Sequence, residues 1–150
     1  MTQQDLIALA REKAAKYQLY PELVCSVVEQ ESSWNTWALR FEPNFFRKYV
    51  VPLIPTKGLN YTEAYARAFS WGLMQVMGQV AREHDFDAPF LSKLCDPEVG
   101  LEIGCKVLAA KLAAAEGNVT KALLLWNGGG KPDYPAQVLA RAGNYGAPSP

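Results

Sequence analysis

Residues 21–35 read PELVCSVVEQESSWN, and this stretch has the pattern of a helix around which the rest of the chain can be organised. Pro21 suits the first turn of a helix, and neither Gly nor Pro interrupts the residues that follow it. At 3.6 residues per turn, one face of this helix is formed by Val24, Val27, Val28 and Glu31. The carboxyl group of Glu31 is therefore predicted to lie on an apolar stripe, whereas Glu29 points nearly opposite and is predicted to be solvated.

An acid on an apolar stripe has a chemical consequence. Apolar surroundings disfavour the anion, so the pKa of Glu31 should rise and the group should keep its proton near neutral pH. A general acid needs a group of this kind. In the simpler interpretation, the stripe ends at Glu31 and its carboxylate lies in water. The helix by itself leaves both interpretations open.

The composition indicates one globular domain. The chain has 150 residues, of which 49% are hydrophobic and 20% are charged, so it is neither too short nor too polar to form a packed core. Its 15 basic and 15 acidic residues cancel. A neutral chain offers no overall basic field for nucleic acid, and we predict no nucleic-acid partner.

The cysteine and histidine content argues against several kinds of site. Cys25, Cys95 and Cys105 are an odd number without metal-ligand spacing, so free buried thiols are expected. His84 is the only histidine, which disfavours a zinc site and a Ser-His or Cys-His mechanism. We therefore predict no metal site. The N-terminal residues lack the pattern of a signal peptide and no transmembrane run follows, so synthesis in the cytoplasm without a signal peptide is expected.

Hydrophobic spacing and helix start signals predict helices along most of the chain. The predicted helices span residues 1–18, 21–35, 62–69, 76–85, 97–116, 119–126 and 134–142. The helix that starts at Asp96-Pro97-Glu98 is apolar over much of its circumference and should cross the centre of the domain. Residues 41–69 are predicted to be an irregular insertion with a short helix near 45–50 and another capped by Thr62, and residues 143–150 a tail. No strand is convincing, so the predicted fold is mainly α with little or no β.

Three short motifs stand in order along this chain. They are Glu31-Ser32 at a helix end, Gly72-Leu73-Met74-Gln75-Val76-Met77 after a predicted tight turn at 70–72, and Trp126-Asn127-Gly128-Gly129 after another helix. Together the motifs resemble the family 1 lytic transglycosylases, the lysozyme-like domain of soluble lytic transglycosylases and its phage relatives. The resemblance runs from about Leu19 to Tyr145. It implies a single lysozyme-like domain and favours Glu31 as an acid in a cleft.

The resemblance also implies a reaction. Glu31 would be the single catalytic acid, protonating the glycosidic oxygen between N-acetylmuramic acid and N-acetylglucosamine in peptidoglycan glycan strands. Once ionised, Glu31 would take the proton of the muramyl 6-hydroxyl, which attacks C1 and leaves a 1,6-anhydromuramyl end. One group that acts as acid and then as base follows from microscopic reversibility. No cofactor is implied.

Most glycosidases use a second carboxylate, and its identity separates two outcomes. Goose-type lysozymes, the hydrolytic relatives, commonly carry an aspartate where this chain has Met77, which favours the transglycosylase. Candidates for a second acid are Glu42, Glu63, Asp85 and Asp87, so a hydrolytic muramidase that uses Glu31 is the alternative. A non-catalytic glycan-binding module is a further alternative, although a pure binder has no reason to place an acid on an apolar stripe.

The same resemblance suggests which residues contact the substrate. The candidates are Gln75, Met77, Trp126, Asn127, Arg40, Ser32 and Tyr134. Gln75 would hydrogen-bond near the reacting sugar or cap the next helix, and Ser32 would brace the turn beside Glu31. Trp126 stands where the family usually has a tyrosine close to the acid, and an indole can donate but cannot accept or ionise. Arg40 aligns with a serine of many members and would contact substrate or pair with Glu42.

The insertion at residues 41–69 contains several aromatic residues. The aromatic residues of the insertion could line the glycan groove or serve as core: Phe45, Phe46, Tyr49 and Tyr61. Its length resembles phage-type members. We expect a monomer that acts on the periplasmic cell wall as a phage endolysin or a virion-associated enzyme.

Overall fold

The computed structural model describes residues 1–146, so part of the predicted tail, 147–150, lies outside the described residues. Nine α-helices lie within that range: α1 (Gln3–Lys16), α2 (Pro21–Ser32), α3 (Pro43–Phe45), α4 (Leu53–Lys57), α5 (Tyr61–Arg67), α6 (Gly78–Glu83), α7 (Pro97–Ala114), α8 (Val119–Trp126) and α9 (Tyr134–Ala140). A π-helical turn spans Phe46–Val50, and 3-10 turns span Leu91–Cys95 and Ala142–Tyr145. The strands are β1 (Leu39–Phe41), β2 (Phe69–Trp71) and β3 (Val76–Met77). The predicted mainly α fold is confirmed.

Helix α7 forms the centre of the domain, as its apolar circumference predicts. Asp96 caps it, its side chain accepting a hydrogen bond from the Glu98 amide, and Pro97 occupies the first turn. Leu101, Cys105 and Leu108 are fully buried on it. The helix packs against α1, α8 and the 3-10 turn that precedes it, so the long helices surround one core.

Helix α2 begins at Pro21, as predicted, and ends at Ser32, three residues earlier than the pattern suggested. Its end is set by the backbone: Ser33 and Trp34 both have left-handed conformations, at φ 50° and 66°. Trp34 is buried there, and its indole Nε1 donates to the Tyr145 hydroxyl over 2.9 Å. The chain turns at this point, which leaves the last turn of α2 facing a cleft.

A small antiparallel sheet is the only β structure among residues 1–146, which agrees with the predicted little or no β, although none of its strands was located from the sequence. β1 pairs with β2, and β2 pairs with β3, with Arg40 opposite Ser70 and Ser70 opposite Met77. Ser70 and Trp71 therefore belong to a strand, the tight turn lies at 72–75 instead of 70–72, and α6 starts at Gly78 instead of Val76. Strands of two or three residues carry too little alternation to be detected from sequence, because the pairing of distant segments defines them.

The insertion is more helical than predicted. Its prolines resemble helix breakers in the sequence, yet Pro43 occupies the first turn of α3 and Pro52 the N-cap of α4, where a missing amide proton is harmless. Asn60, not Thr62, caps α5 by accepting from the Glu63 amide. Phe46 stacks on Tyr65 with ring centroids 4.6 Å apart, and Tyr61 is 71% exposed. Phe46 is thus a packing residue, and Tyr61 faces solvent.

Within residues 1–146, none of the helices combines the length and apolar character required to cross a membrane.

Gly100 lets α7 approach the chain segment that precedes it, and its substitution should destabilise the fold. A Cβ at Gly100 would overlap the backbone carbonyl oxygen of Leu94, which cannot move as a side chain can. Overpacking typically costs about 1–3 kcal/mol, against a helix-propensity gain of about 1 kcal/mol for Gly→Ala. We expect Gly100→Ala to lower the Tm by up to roughly 8 °C, measured by thermal unfolding.

The control is Gly143→Ala, since a Cβ at Gly143 meets no atom within 4 Å among the described residues. This substitution should leave the Tm unchanged or slightly raised. Equal melting temperatures for the two variants would contradict the close contact between α7 and Leu94.

Candidate active site

Glu31 lies on the last turn of α2, at the end of the predicted apolar stripe. Val24, Val27 and Val28 are completely buried, and the Glu31 carboxyl group opens from them into a cleft of about 680 Å³. The stripe therefore does not end in open water. It carries the acid to the wall of a cavity large enough for part of a sugar chain.

Two side chains donate hydrogen bonds to one oxygen of this carboxyl group. The Tyr134 hydroxyl lies 2.5 Å from Glu31 Oε1, and the Trp126 indole Nε1 lies 3.4 Å from the same atom. Tyr134 is the first residue of α9 and Trp126 the last residue of α8. A phenol was not expected from the position before Asn127, because that residue is Trp126. Tyr134 supplies a phenol beside the acid from a different position in the chain.

Burial dominates the acidity of this pair. Desolvation raises the pKa of Glu31, and it outweighs the hydrogen bonds from Tyr134 and Trp126 and the positive charges of Lys131 and Arg40, which lower it. The pKa of Tyr134 is raised by its own burial and by the neighbouring Glu31, so the phenol stays protonated as a donor. The structure therefore combines a carboxyl group of raised pKa with a fixed hydrogen-bond donor beside it.

The cleft is lined by residues from many parts of the chain: Gln30, Glu31, Arg40, Glu42, Phe45, Ser70, Gln75, Val76, Met77, Val80, Val107, Lys111, Leu125, Trp126, Asn127, Gly128, Gly130, Lys131 and Tyr134. Among the described residues, its only carboxyl groups are those of Glu31 and Glu42. Of the substrate-binding candidates, six line this cavity, namely Arg40, Gln75, Met77, Trp126, Asn127 and Tyr134. Ser32 does not line it.

Ser32 has a local structural role. Its hydroxyl donates to the Val28 carbonyl over 3.1 Å, one turn back along α2. This bond satisfies the hydroxyl at the helix end beside Glu31. The Ser32 hydroxyl is therefore used within α2, and Ser32 is not among the residues that line the cleft.

Gln75 braces the cleft wall. Its side-chain Nε2 donates to the carbonyls of Ala38 and Gly72, each over 3.0 Å. Its backbone adopts the left-handed conformation at φ 51°, which is costly for a residue other than glycine. Gly72 precedes it at φ 67°, and its amide also donates to Ala38. These bonds tie the turn at 72–75 to the residue before β1, so Gln75 has a fixed position on the wall.

Met77 and Asn127 both line the cleft. The Ser70 hydroxyl donates a hydrogen bond to the Met77 sulfur over 3.1 Å, across the β2–β3 pair. The side-chain Nδ2 of Asn127 is buried and has no hydrogen-bond partner within residues 1–146. A buried amide without a partner is unusual in a native protein and calls for an acceptor that the chain itself does not supply.

The candidate second acids lie in different surroundings. Glu42 is the one in the cleft, and Arg40 lies 2.7 Å from its carboxylate. Glu63 lies outside the cleft, where Arg82 and Arg67 outweigh its burial and lower its pKa. Asp85 is 93% exposed, and Asp87 is exposed as well. Glu42 is therefore the acid that shares the cavity with Glu31.

Glu29 differs from the sequence prediction. It faces away from the cleft, but its side chain is only 25% exposed and lies 3.7 Å from the Arg141 guanidinium. Asn144 also donates to it over 3.4 Å. The turn at 142–145 covers this face of α2, which the spacing of residues in α2 alone could not reveal.

Two other features of the described residues bear on ligands. No group of three or more His, Cys, Asp or Glu residues lies close enough to hold a metal ion in residues 1–146. A second groove of about 660 Å³ is lined by the exposed Trp37 and Phe90, and its one acid, Asp96, caps α7 and pairs with Lys93. The acid suited to proton transfer is in the Glu31 cleft.

Comparison with protein families gives one match. The family model described as the transglycosylase SLT domain matches residues 8–143. No curated protein and no solved structure matches the chain.

Proposed function

Because the chain belongs to the transglycosylase SLT domain family, a family of lytic transglycosylases that act on peptidoglycan, we propose that Glu31 is its single catalytic acid and base. The bond cleaved is the β-1,4 bond between N-acetylmuramic acid and N-acetylglucosamine. The observation that carries this proposal is the position of Glu31, a buried carboxyl group with a raised pKa that opens into the cleft.

The first step is proton transfer to the leaving group. Protonated Glu31 donates its proton to the glycosidic oxygen as the C1–O bond breaks, and the N-acetylglucosamine end departs with a free 4-hydroxyl. Positive charge develops at C1 of the muramyl residue, where the 2-acetamido group can stabilise it. Tyr134 and Trp126 donate to the carboxylate that remains, which limits the cost of forming an anion in a buried position.

The second step returns the proton. Glu31, now ionised, accepts the proton of the muramyl 6-hydroxyl as that oxygen bonds to C1. The product is a 1,6-anhydromuramyl end, no water is consumed, and Glu31 is again protonated for the next cycle. This sequence needs one carboxyl group and no cofactor.

Asn127 is proposed to hold the substrate. Its buried Nδ2 has no partner within residues 1–146 and belongs to a residue of the cleft wall. An acetamido carbonyl is the strongest acceptor on an uncharged amino sugar, and it would satisfy this donor. Met77 and Phe45 offer apolar surface to a sugar face in the same cleft.

Hydrolysis is the second candidate, because Glu42 lines the same cleft. A carboxylate across the cavity could direct a water molecule onto C1 in place of the 6-hydroxyl. The ion pair with Arg40 argues against this role, since the guanidinium at 2.7 Å already occupies the Glu42 carboxylate.

The proposal is tested first by release of soluble fragments from purified peptidoglycan. The protein should convert insoluble peptidoglycan to soluble muropeptides without added metal or cofactor. Failure to release any fragment from several peptidoglycan types would contradict the proposed function.

The pH profile should follow the protonation of Glu31. Because burial raises its pKa, activity should hold through mildly acidic pH and fall on the alkaline side as Glu31 ionises in the free enzyme. Val28→Thr places a hydroxyl one helical turn from Glu31, which should favour the carboxylate and move the alkaline limb of kcat/KM to lower pH.

The control for this shift is Val24→Thr. Val24 is as completely buried as Val28 but lies two turns from Glu31, so both variants should lose stability and only Val28→Thr should move the limb. If both folded variants keep the alkaline limb of kcat/KM at the pH of the unmodified protein, the valine stripe does not set the acidity of Glu31.

A further inference from the structure

Three cations from separate parts of the chain meet at the cleft that holds Glu31. Arg40 belongs to β1, Lys111 to α7 and Lys131 to the loop between α8 and α9. The chain as a whole has no net charge. The cations therefore form a local excess at the site and do not reflect a basic protein.

The acids of the cleft do not neutralise these three groups. Arg40 pairs with Glu42 at 2.7 Å, yet its side chain remains 68% exposed. Lys111 and Lys131 have no carboxylate within 4.0 Å among the described residues. Glu31 is the other acid of the wall, and burial raises its pKa, which disfavours its anion. Two ammonium groups and a partly available guanidinium are thus presented to whatever fills the cavity.

Lys131 and Arg40 both affect the pKa of the proposed catalytic acid, Glu31. Both lie close enough to Glu31 for their charges to influence its carboxyl group. Arg40, Lys111 and Lys131 also line the same cavity as Glu31, so a ligand anion bound by them would lie in the cleft that holds the acid.

Uncharged amino sugars do not account for this arrangement. Hydroxyl and acetamido groups are bound well by neutral amides and aromatic rings, whereas Lys and Arg form their strongest hydrogen bonds with carboxylates and phosphates. Peptidoglycan carries carboxylates on the peptide that is attached to the lactyl group. After removal of the peptide, the lactyl group itself ends in a carboxylate.

From these observations we propose that Arg40, Lys111 and Lys131 bind carboxylate groups carried by the glycan next to the scissile bond, so that the enzyme selects charged glycan over uncharged glycan. This inference rests on the proposed function and specifies the substrate class of the same cleft. It makes the cationic residues specificity determinants, distinct from the acid that performs the chemistry.

The test measures binding separately from cleavage. Binding of Glu31→Gln protein is measured on soluble, uncross-linked glycan strands in three forms: with the native peptide, with all carboxylates converted to neutral amides, and stripped of peptide by an amidase so that the lactyl carboxylate is exposed. We expect the native form to bind about tenfold more tightly than the amidated form at low salt, with the difference shrinking at high salt. Stripped glycan that binds like native glycan identifies the lactyl carboxylate, and stripped glycan that binds like amidated glycan identifies the peptide.

Variants made in the Glu31→Gln protein assign the effect to the cleft. Lys111→Gln and Lys131→Gln should each weaken binding of the carboxylate-bearing form about two- to fivefold and leave binding of the amidated form unchanged. Because Glu31 is absent from this protein, the change cannot arise from its acidity. A folding defect would weaken both forms alike.

Lys121→Gln is the control, because Lys121 is exposed on α8 and does not line the cleft. Equal binding of native and amidated glycan, or equal losses for Lys121→Gln and the cleft variants, would overturn the inference. Absence of cleavage by the unmodified protein would contradict the proposed function instead, and the two failures are thereby distinguished.

Discussion

Glu31→Gln is expected to abolish cleavage of peptidoglycan while leaving the fold and glycan binding nearly intact. Glutamine has almost the same shape as glutamic acid and can accept from Tyr134 and Trp126 through its carbonyl oxygen, but it cannot donate a proton to the glycosidic oxygen. General acid–base catalysis typically contributes about 10²–10⁴-fold to the rate, and in the proposed mechanism one group performs both proton transfers. The fall in kcat should reach at least this range, measured by release of soluble muropeptides.

Glu29→Gln provides the matched control on the same helix. Glu29 faces the turn at 142–145 and contacts Arg141, not the cleft. Its replacement should change stability slightly and kcat by less than about twofold, because the pair is partly solvated. A loss below tenfold for Glu31→Gln, or a similar loss for both variants, would exclude Glu31 as the catalytic acid.

Tyr134→Phe should have the second largest effect. The Tyr134 hydroxyl donates to Glu31 Oε1 over 2.5 Å, so its removal withdraws the closest donor from the carboxylate formed in the first step. Hydrogen bonds to charged groups are worth about 1.5–3 kcal/mol, which corresponds to a fall in kcat of roughly 10- to 100-fold. Because this hydrogen bond lowers the pKa of Glu31, its loss should raise that pKa and move the alkaline limb to higher pH.

Tyr145→Phe separates this effect from general damage to a buried tyrosine. The Tyr145 hydroxyl accepts from the Trp34 indole and does not line the cleft. The variant should unfold more easily, while kcat and the alkaline limb of the folded protein stay unchanged. Tyr134→Phe with an unaltered kcat and pH profile would show that the phenol has no catalytic role.

The helices that position the acid could be predicted from sequence because their signals are local. Pro21 and Asp96-Pro97 mark helix starts, and the spacing of Val24, Val27 and Val28 defines the face that carries Glu31. The insertion was harder to predict, because Pro43 and Pro52 look alike in sequence whether they begin a helix or break one.

The contacts that depend on distant residues could not be predicted. The partner of Glu31 is Tyr134, 103 positions along the chain, and its phenol could not be placed beside the acid without the packing of α2 on α9. The pairing of Arg40 with Ser70 has no sequence signal of its own. The monomeric state and the setting in phage lysis or entry remain predictions.

The central claim, that Glu31 acts alone and that no water attacks the sugar, is tested most directly by mass spectrometry of digested peptidoglycan. Products that end in 1,6-anhydromuramic acid are lighter by one water than products with a reducing end. The account predicts anhydro ends in nearly all products and no incorporation of oxygen-18 when digestion is run in labelled water. Predominantly reducing ends that carry the label would contradict it and would direct attention to Glu42 as the residue that activates water.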